Sequence, residues 1–96
     1  MTLRERLTAK RDAILAAATA NGARNIRLFG SAARGAERED SDVDFLVTLE
    51  RGRTLLDLAR LELQLEQILG RSVDVVTESS LKEPVRSSAM REAIVV

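Results

Sequence analysis

Apolar residues fall along this chain in blocks of two different periods, and the alternation of those blocks predicts helices interleaved with strands. Leu7, Ile14, Leu15 and Ala18 recur mostly at three- and four-residue steps, which predicts one helix over Leu3 to Ala20, stopped by Asn21-Gly22. Asn25 to Phe29 is a short apolar run and reads as the first strand, followed by a turn at Gly30 to Gly35 that leads into a brief helix. Glu37 to Ser41 is polar enough to be loop. Asp42 to Leu49 reads as a second strand in which Val43, Phe45 and Val47 share one face, while Asp42, Asp44, Leu46 and Thr48 share the other.

Leu55 to Leu69 is dense in leucine and predicts a strong helix, with Gly70 as its C-terminal stop. Leu55, Leu58, Leu61, Leu65, Ile68 and Leu69 form one flank, expected to cover the sheet. Leu56 and Leu63 form a second flank, open to core burial or to a partner surface, with Glu62 and Glu66 between the two. Ser72 to Thr77 is a third strand with Asp74 facing away from Val73 and Val75. Pro84 can open a last helix to about Ala93, since its missing N–H costs nothing there, and Ile94 to Val96 predicts a terminal strand. The expectation is an α/β (α+β) fold with a small mixed β-sheet covered by helices, in a single domain spanning 1–96.

Composition narrows the chemistry more than the fold. With no cysteine and no histidine, disulfides, thiolate or imidazole metal sites, thiol nucleophiles and imidazole bases are excluded. Carboxylates remain, and oxygen-only donor sets select hard cations such as magnesium, manganese or calcium. Fifteen basic and fifteen acidic residues give zero formal charge, and Phe29 and Phe45 are the only aromatics. Direct nucleic-acid binding is therefore not expected, because it needs excess positive charge and stacking rings. No apolar run approaches the ~20 residues of a membrane span, and the charged N-terminal segment lacks a signal-peptide core. A cytoplasmic location is expected. The small size leaves room for a homo- or hetero-oligomer that would cover more apolar surface.

Against that background one constellation stands out: Gly30-Ser31, ten residues, then Asp42-Val43-Asp44, with Asp74 on a later strand. A glycine allows close backbone approach to phosphate oxygens, and the adjacent serine adds a hydroxyl donor. Two aspartates two apart on a strand point the same way and can share metal ions. Asp74 could complete the cluster.

This arrangement resembles the GS-x10-DxD signature of the DNA-polymerase-beta-like nucleotidyltransferases. The segments FGSAARG, SDVDFLV and LGRSVDVVT are similar to minimal nucleotidyltransferases, and within them to the antitoxin partners of HEPN-domain toxins. The likeness runs from about Ile26 to the end, with Leu81 to Ala93 resembling the family's closing segment. It implies a polymerase-beta-like fold and two magnesium ions held by Asp42, Asp44 and Asp74, with Asp74 as the candidate general base. It further implies ATP as substrate, gripped by Gly30 and Ser31.

Arg34 resembles the arginine of the family's Gly-Ser loop, or it pairs with Asp42 or Asp44. Ser41 belongs to the expected nucleotide-binding set, or it caps a turn. Ala32 stands where such sequences often carry a basic residue, which would weaken the grip on phosphate.

The implied reaction is adenylylation of a hydroxyl, a tyrosine's above all, on a HEPN ribonuclease toxin, which makes this chain an antitoxin. Two rival readings remain: an antitoxin that neutralises by contact alone, and a nucleotidyltransferase acting on a small molecule such as an aminoglycoside.

Overall fold

The computed structural model describes residues 2–35, 38 and 41–96. The expected loop at Glu37 to Ser41 thus falls outside the described residues except at Arg38 and Ser41. Four strands, β1 (Ala23–Phe29), β2 (Val43–Leu49), β3 (Val73–Thr77) and β4 (Ile94–Val95), form one mixed sheet in the order β3-β2-β1-β4. β1 is antiparallel to both β2 and β4, whereas β2 and β3 are parallel. A parallel neighbour needs a crossover, and α3 (Leu55–Leu69) supplies it. The α+β expectation holds.

Helices α1 (Leu3–Ala9), α2 (Arg11–Ala20) and α3 contribute to one core on a single face of the sheet. Ile14 and Ala18 from α2, and Leu58, Leu61, Leu65 and Leu69 from α3, join Leu28, Val43, Phe45, Val47, Val73 and Val75 in that core. The other face is crossed by α4 (Val85–Glu92). Its contacts include Met90 with Arg27 Nη1 at 3.3 Å, Arg86 with Glu78 at 2.8 Å and Glu92 with Arg34 at 3.2 Å, and Ala89 of α4 and Leu46 of β2 are both buried. Among the described residues no helix is long and apolar enough to cross a membrane.

Four expectations need correction. The single first helix is two, because Lys10 leaves helical geometry at φ −105° and ψ 10°. The hydrogen bonds run on through the bend, from Lys10 N–H to Arg6 O and from Ile14 N–H to Lys10 O. The two halves answer to different anchors. Arg6 Nη1 donates to Leu69 O at 2.9 Å and Arg4 to Ala33 O at 3.3 Å, while Asn21 ties α2 to Gln64 on α3 at 2.8 Å.

β1 starts two residues earlier than its apolar run. The register jumps from Arg24↔Thr48 to Arg27↔Leu46, so β1 carries one extra residue, and Asn25 adopts φ +53° there. That bulge returns both Ala23 and Ile26 to the core face although they are three apart. Asparagine is among the few side chains that accept this backbone conformation.

Gly30 to Gly35 forms a turn, closed by Arg34 N–H to Gly30 O and Gly35 N–H to Ala32 O, with no helix over these residues. Finally, Leu55 is 80% exposed instead of covering the sheet. It opens α3 after the Thr54 cap, and the first residue of the helix to reach the core is Leu58. Leu56 and Leu63 are also exposed, at 67% and 63%.

The two flanks of α3 should therefore respond differently to truncation. Leu65→Ala, at a site with no exposure, should cost about 2–5 kcal/mol in urea unfolding. Leu63→Ala should stay within about 0.5 kcal/mol of the parent. Equal losses at both sites would reassign the core face.

Candidate active site

The parallel register pairs Asp44 directly with Asp74, so their side chains project from neighbouring strands roughly 5 Å apart. Asp42 lies just ahead of β2, two residues before Asp44 and about 6–7 Å along the strand direction. All three sit on the face opposite the main core, because Val43, Phe45, Val73 and Val75 take the inward positions. Asp42 and Asp74 are exposed, and Asp44 is half-buried.

Phe29 is the cross-strand partner of Asp44 on the β1 side. Asp44 is thus flanked by an aromatic ring on one strand and by a carboxylate on the other.

The glycine of the Gly-Ser pair has a steric role beyond any contact with phosphate. Gly30 follows β1 with φ +72°, and a Cβ built there would lie 2.6 Å from Asp44 Oδ2. The carboxylate occupies the space that a side chain would need. After it, the N–H groups of Ser31, Ala32 and Ala33 donate to no backbone carbonyl among the described residues.

Ala32 is 1% exposed and packs in the core. The position at which the family resemblance leads one to expect a basic residue is here part of the hydrophobic interior.

Arg34 pairs with Glu92 of α4 at 3.2 Å rather than with Asp42 or Asp44. Its charge nonetheless reaches Asp44. Ser41 serves a turn: its hydroxyl accepts the Arg38 N–H at 3.1 Å and its own N–H donates to Arg38 O at 3.0 Å. Arg71, which follows α3, holds that turn through Nη2, at 2.7 Å from Arg38 O and 2.8 Å from Ser41 O. Neither Arg71 nor Glu62 stands out in the sequence, because nothing in a helix or loop pattern shows which backbone group a long side chain reaches.

Like charges meet here without full solvation. Burial pushes the Asp44 carboxyl above its ordinary value, Asp74 and then Asp42 push in the same direction, and Arg34 opposes them. Among the described residues no three acidic side chains converge tightly enough to ligate one ion as they stand. The donor set itself fits a hard divalent cation: oxygen ligands only, on adjacent strands, with an electrostatic penalty that positive charge would relieve. A concavity of about 700 Å³ lies at the far ends of β2 and β3, lined by Thr48, Arg51, Arg53, Glu78 and Arg86. It contains none of the three aspartates.

Two outcomes follow. A raised native pKa means that the metal-free fold disfavours ionised Asp44. The penalty is absent below the ordinary value of 3.8 and grows as pH rises from there through the raised value. Asp44→Asn should therefore melt higher than the parent at neutral pH in chelator, and the gap should close as pH approaches 3.8. A variant that melts lower, or a gap independent of pH, would contradict this electrostatic account. Gly30→Ala should cost at least about 1–2 kcal/mol from its backbone conformation alone, with a further loss from the Asp44 clash. In an Asp44→Ala background only the backbone part should remain, as measured by urea unfolding of both variants.

Comparison with known proteins agrees with the geometry. Residues 13–96 match the family model described as the nucleotidyltransferase domain. The protein adenylyltransferase MntA of Thermococcus cleftensis is 47% identical over 75 residues, covering 78% of this chain and 76% of that one. A solved structure of a candidate minimal nucleotidyltransferase superposes with a TM-score of 0.89 at 52% identity, covering 100% of this chain and 97% of that chain. A toxin–antitoxin crystal structure with AMP-PNP matches with a TM-score of 0.63 at 26% identity, over 74% of this chain and 59% of that one. The match to the family model over nearly the whole chain, on a sheet that sets Asp44 beside Asp74, shows that this protein belongs to the nucleotidyltransferase domain family.

Proposed function

We propose that this chain is a protein adenylyltransferase antitoxin that transfers AMP from ATP to a hydroxyl, most favourably a tyrosine, on a HEPN ribonuclease toxin. The observation that carries the reading is the register that places Asp44 beside Asp74, with Asp42 two residues away. Likeness to an adenylyltransferase at 47% identity supports the reaction class. The toxin–antitoxin structure with AMP-PNP supports both an adenine nucleotide and a toxin partner.

Asp42, Asp44 and Asp74 would hold two magnesium ions, which when bound neutralise phosphate charge and lower the pKa of the acceptor hydroxyl. Asp74 takes the hydroxyl proton, being exposed and placed at the sheet edge where an acceptor can approach. The hydroxyl oxygen bonds to the α-phosphorus, and the bond to the β-phosphate oxygen breaks to release pyrophosphate. Gly30 and Ser31 offer the β- and γ-phosphates backbone N–H and hydroxyl donors. Arg34 brings the nearest loop cation, held over this face by Glu92. Ala32, packed inside, brings no charge to that work. The open setting of the three aspartates suits an acceptor that brings its own surface.

The test is transfer of label from α-labelled ATP to a purified HEPN partner in magnesium. Wild type should label it, and Asp44→Asn should lose roughly two orders of magnitude or more, the scale for removal of one transition-state charge stabiliser. Wild type that labels nothing, while Asp44→Asn still neutralises the toxin fully, would leave neutralisation by contact as the function.

A further inference from the structure

β3 is an edge strand, and an edge leaves every second N–H without a partner from the sheet. The outward pair here belongs to Val73 and Val75, the residues on either side of Asp74. Both are taken up by one helix: Val73 N–H donates to Glu66 Oε2 at 3.2 Å, and Val75 N–H to Glu62 Oε1 at 3.3 Å. Glu62 and Glu66 are four apart on α3 and so lie one above the other on the same side of the helix. Their spacing along the helix, about 6 Å, nearly matches the 6–7 Å between alternate residues of a strand. Two successive outward N–H groups can therefore be met by two successive turns. The buried leucines of α3 fix the helix over the core face, while these glutamates reach around the edge to the backbone of β3.

We propose that Glu62 and Glu66 are positioning residues: by accepting the two N–H groups that flank Asp74 they hold β3 in register and fix where the Asp74 carboxylate stands relative to Asp44. The inference rests on the metal-dependent reading of the three aspartates for its consequence in catalysis, while the backbone clamp stands without it. The hydrogen bonds need an acceptor oxygen and not a charge. Glutamine keeps that oxygen, and alanine removes it.

The experiment compares Glu62→Ala/Glu66→Ala with Glu62→Gln/Glu66→Gln in the full chain, with melting curves to establish folding. Amide hydrogen exchange at Val73 and Val75 should quicken at least tenfold in the double alanine variant and stay near wild type in the double glutamine variant. Mn2+ affinity, read by electron paramagnetic resonance, should fall about 10–100-fold in the alanine variant, the usual scale for groups that support metal ligands, and recover in the glutamine variant. The magnesium needed for half-maximal label transfer should rise in parallel, with the ATP KM little changed. Unaltered exchange in the alanine variant, or a glutamine variant as impaired as the alanine one, overturns the proposal. Should the double alanine variant unfold, Glu62→Ala alone is read by the same measurements at Val75. Exchange and Mn2+ binding require no acceptor, so they decide the positioning role even where transfer to a HEPN partner fails.

Discussion

The parallel pairing of β2 with β3 sets two carboxylates side by side, and the remainder of the molecule is arranged around that repulsive contact. Nothing local to Asp44 and Asp74 favours their proximity, because burial and mutual charge both work against ionisation of Asp44. What holds them is the opposite face of the same strands, where Val43, Phe45 and Val47 pack with Val73 and Val75 under α3. Moving β3 by one residue would bring Asp74 into the core and Val73 or Val75 onto the acidic face. Hydrophobic burial on one side thus enforces electrostatic strain on the other.

The surroundings of Asp44 temper that strain without removing it. Gly30 leaves space for the carboxylate where any side chain would collide with it, and Arg34 adds a compensating charge from a distance. Because Arg34 is engaged by Glu92, it is held near the site without neutralising either aspartate of the DxD directly. Arg71 meets the carbonyls of Arg38 and Ser41, so backbone contacts hold the approach to Asp42. The acids are left available to a cation.

Much of this was legible in the sequence because periodicity reports which face of an element is buried. The valine and phenylalanine alternation of β2 located the aspartates on the opposite face, and α3 was read from Leu55 to Leu69 with Gly70 as its stop, the bounds observed. What remained hidden was of another kind. The bend at Lys10 needs no glycine or proline, and Leu7 and Ile14 keep their phase across it. The bulge at Asn25 appears only when β1 is laid against β2, since its purpose is to reconcile Ala23 with Ile26. The exposure of Leu55 depends on where the sheet ends beneath the helix. At the site, Arg34 gave no sign of choosing Glu92, 58 positions away, and Glu62 and Glu66 were placed only between two leucine flanks. Patterns identify faces, whereas a long polar side chain finds its partner only in three dimensions.

The two faces of the sheet also divide stability from chemistry. Three helices contribute to one core on the inner face, whereas the outer is crossed by α4 through Arg27 with Met90, Arg86 with Glu78, and Arg34 with Glu92. Two of these three contacts are exposed ion pairs, each worth little against unfolding. Substitution of the exposed acids Asp42 and Asp74 should consequently cost little stability, and changes that relieve repulsion at Asp44 can even add to it. Such a division suits a small domain whose core must carry nearly all of its stability while its reactive face stays open.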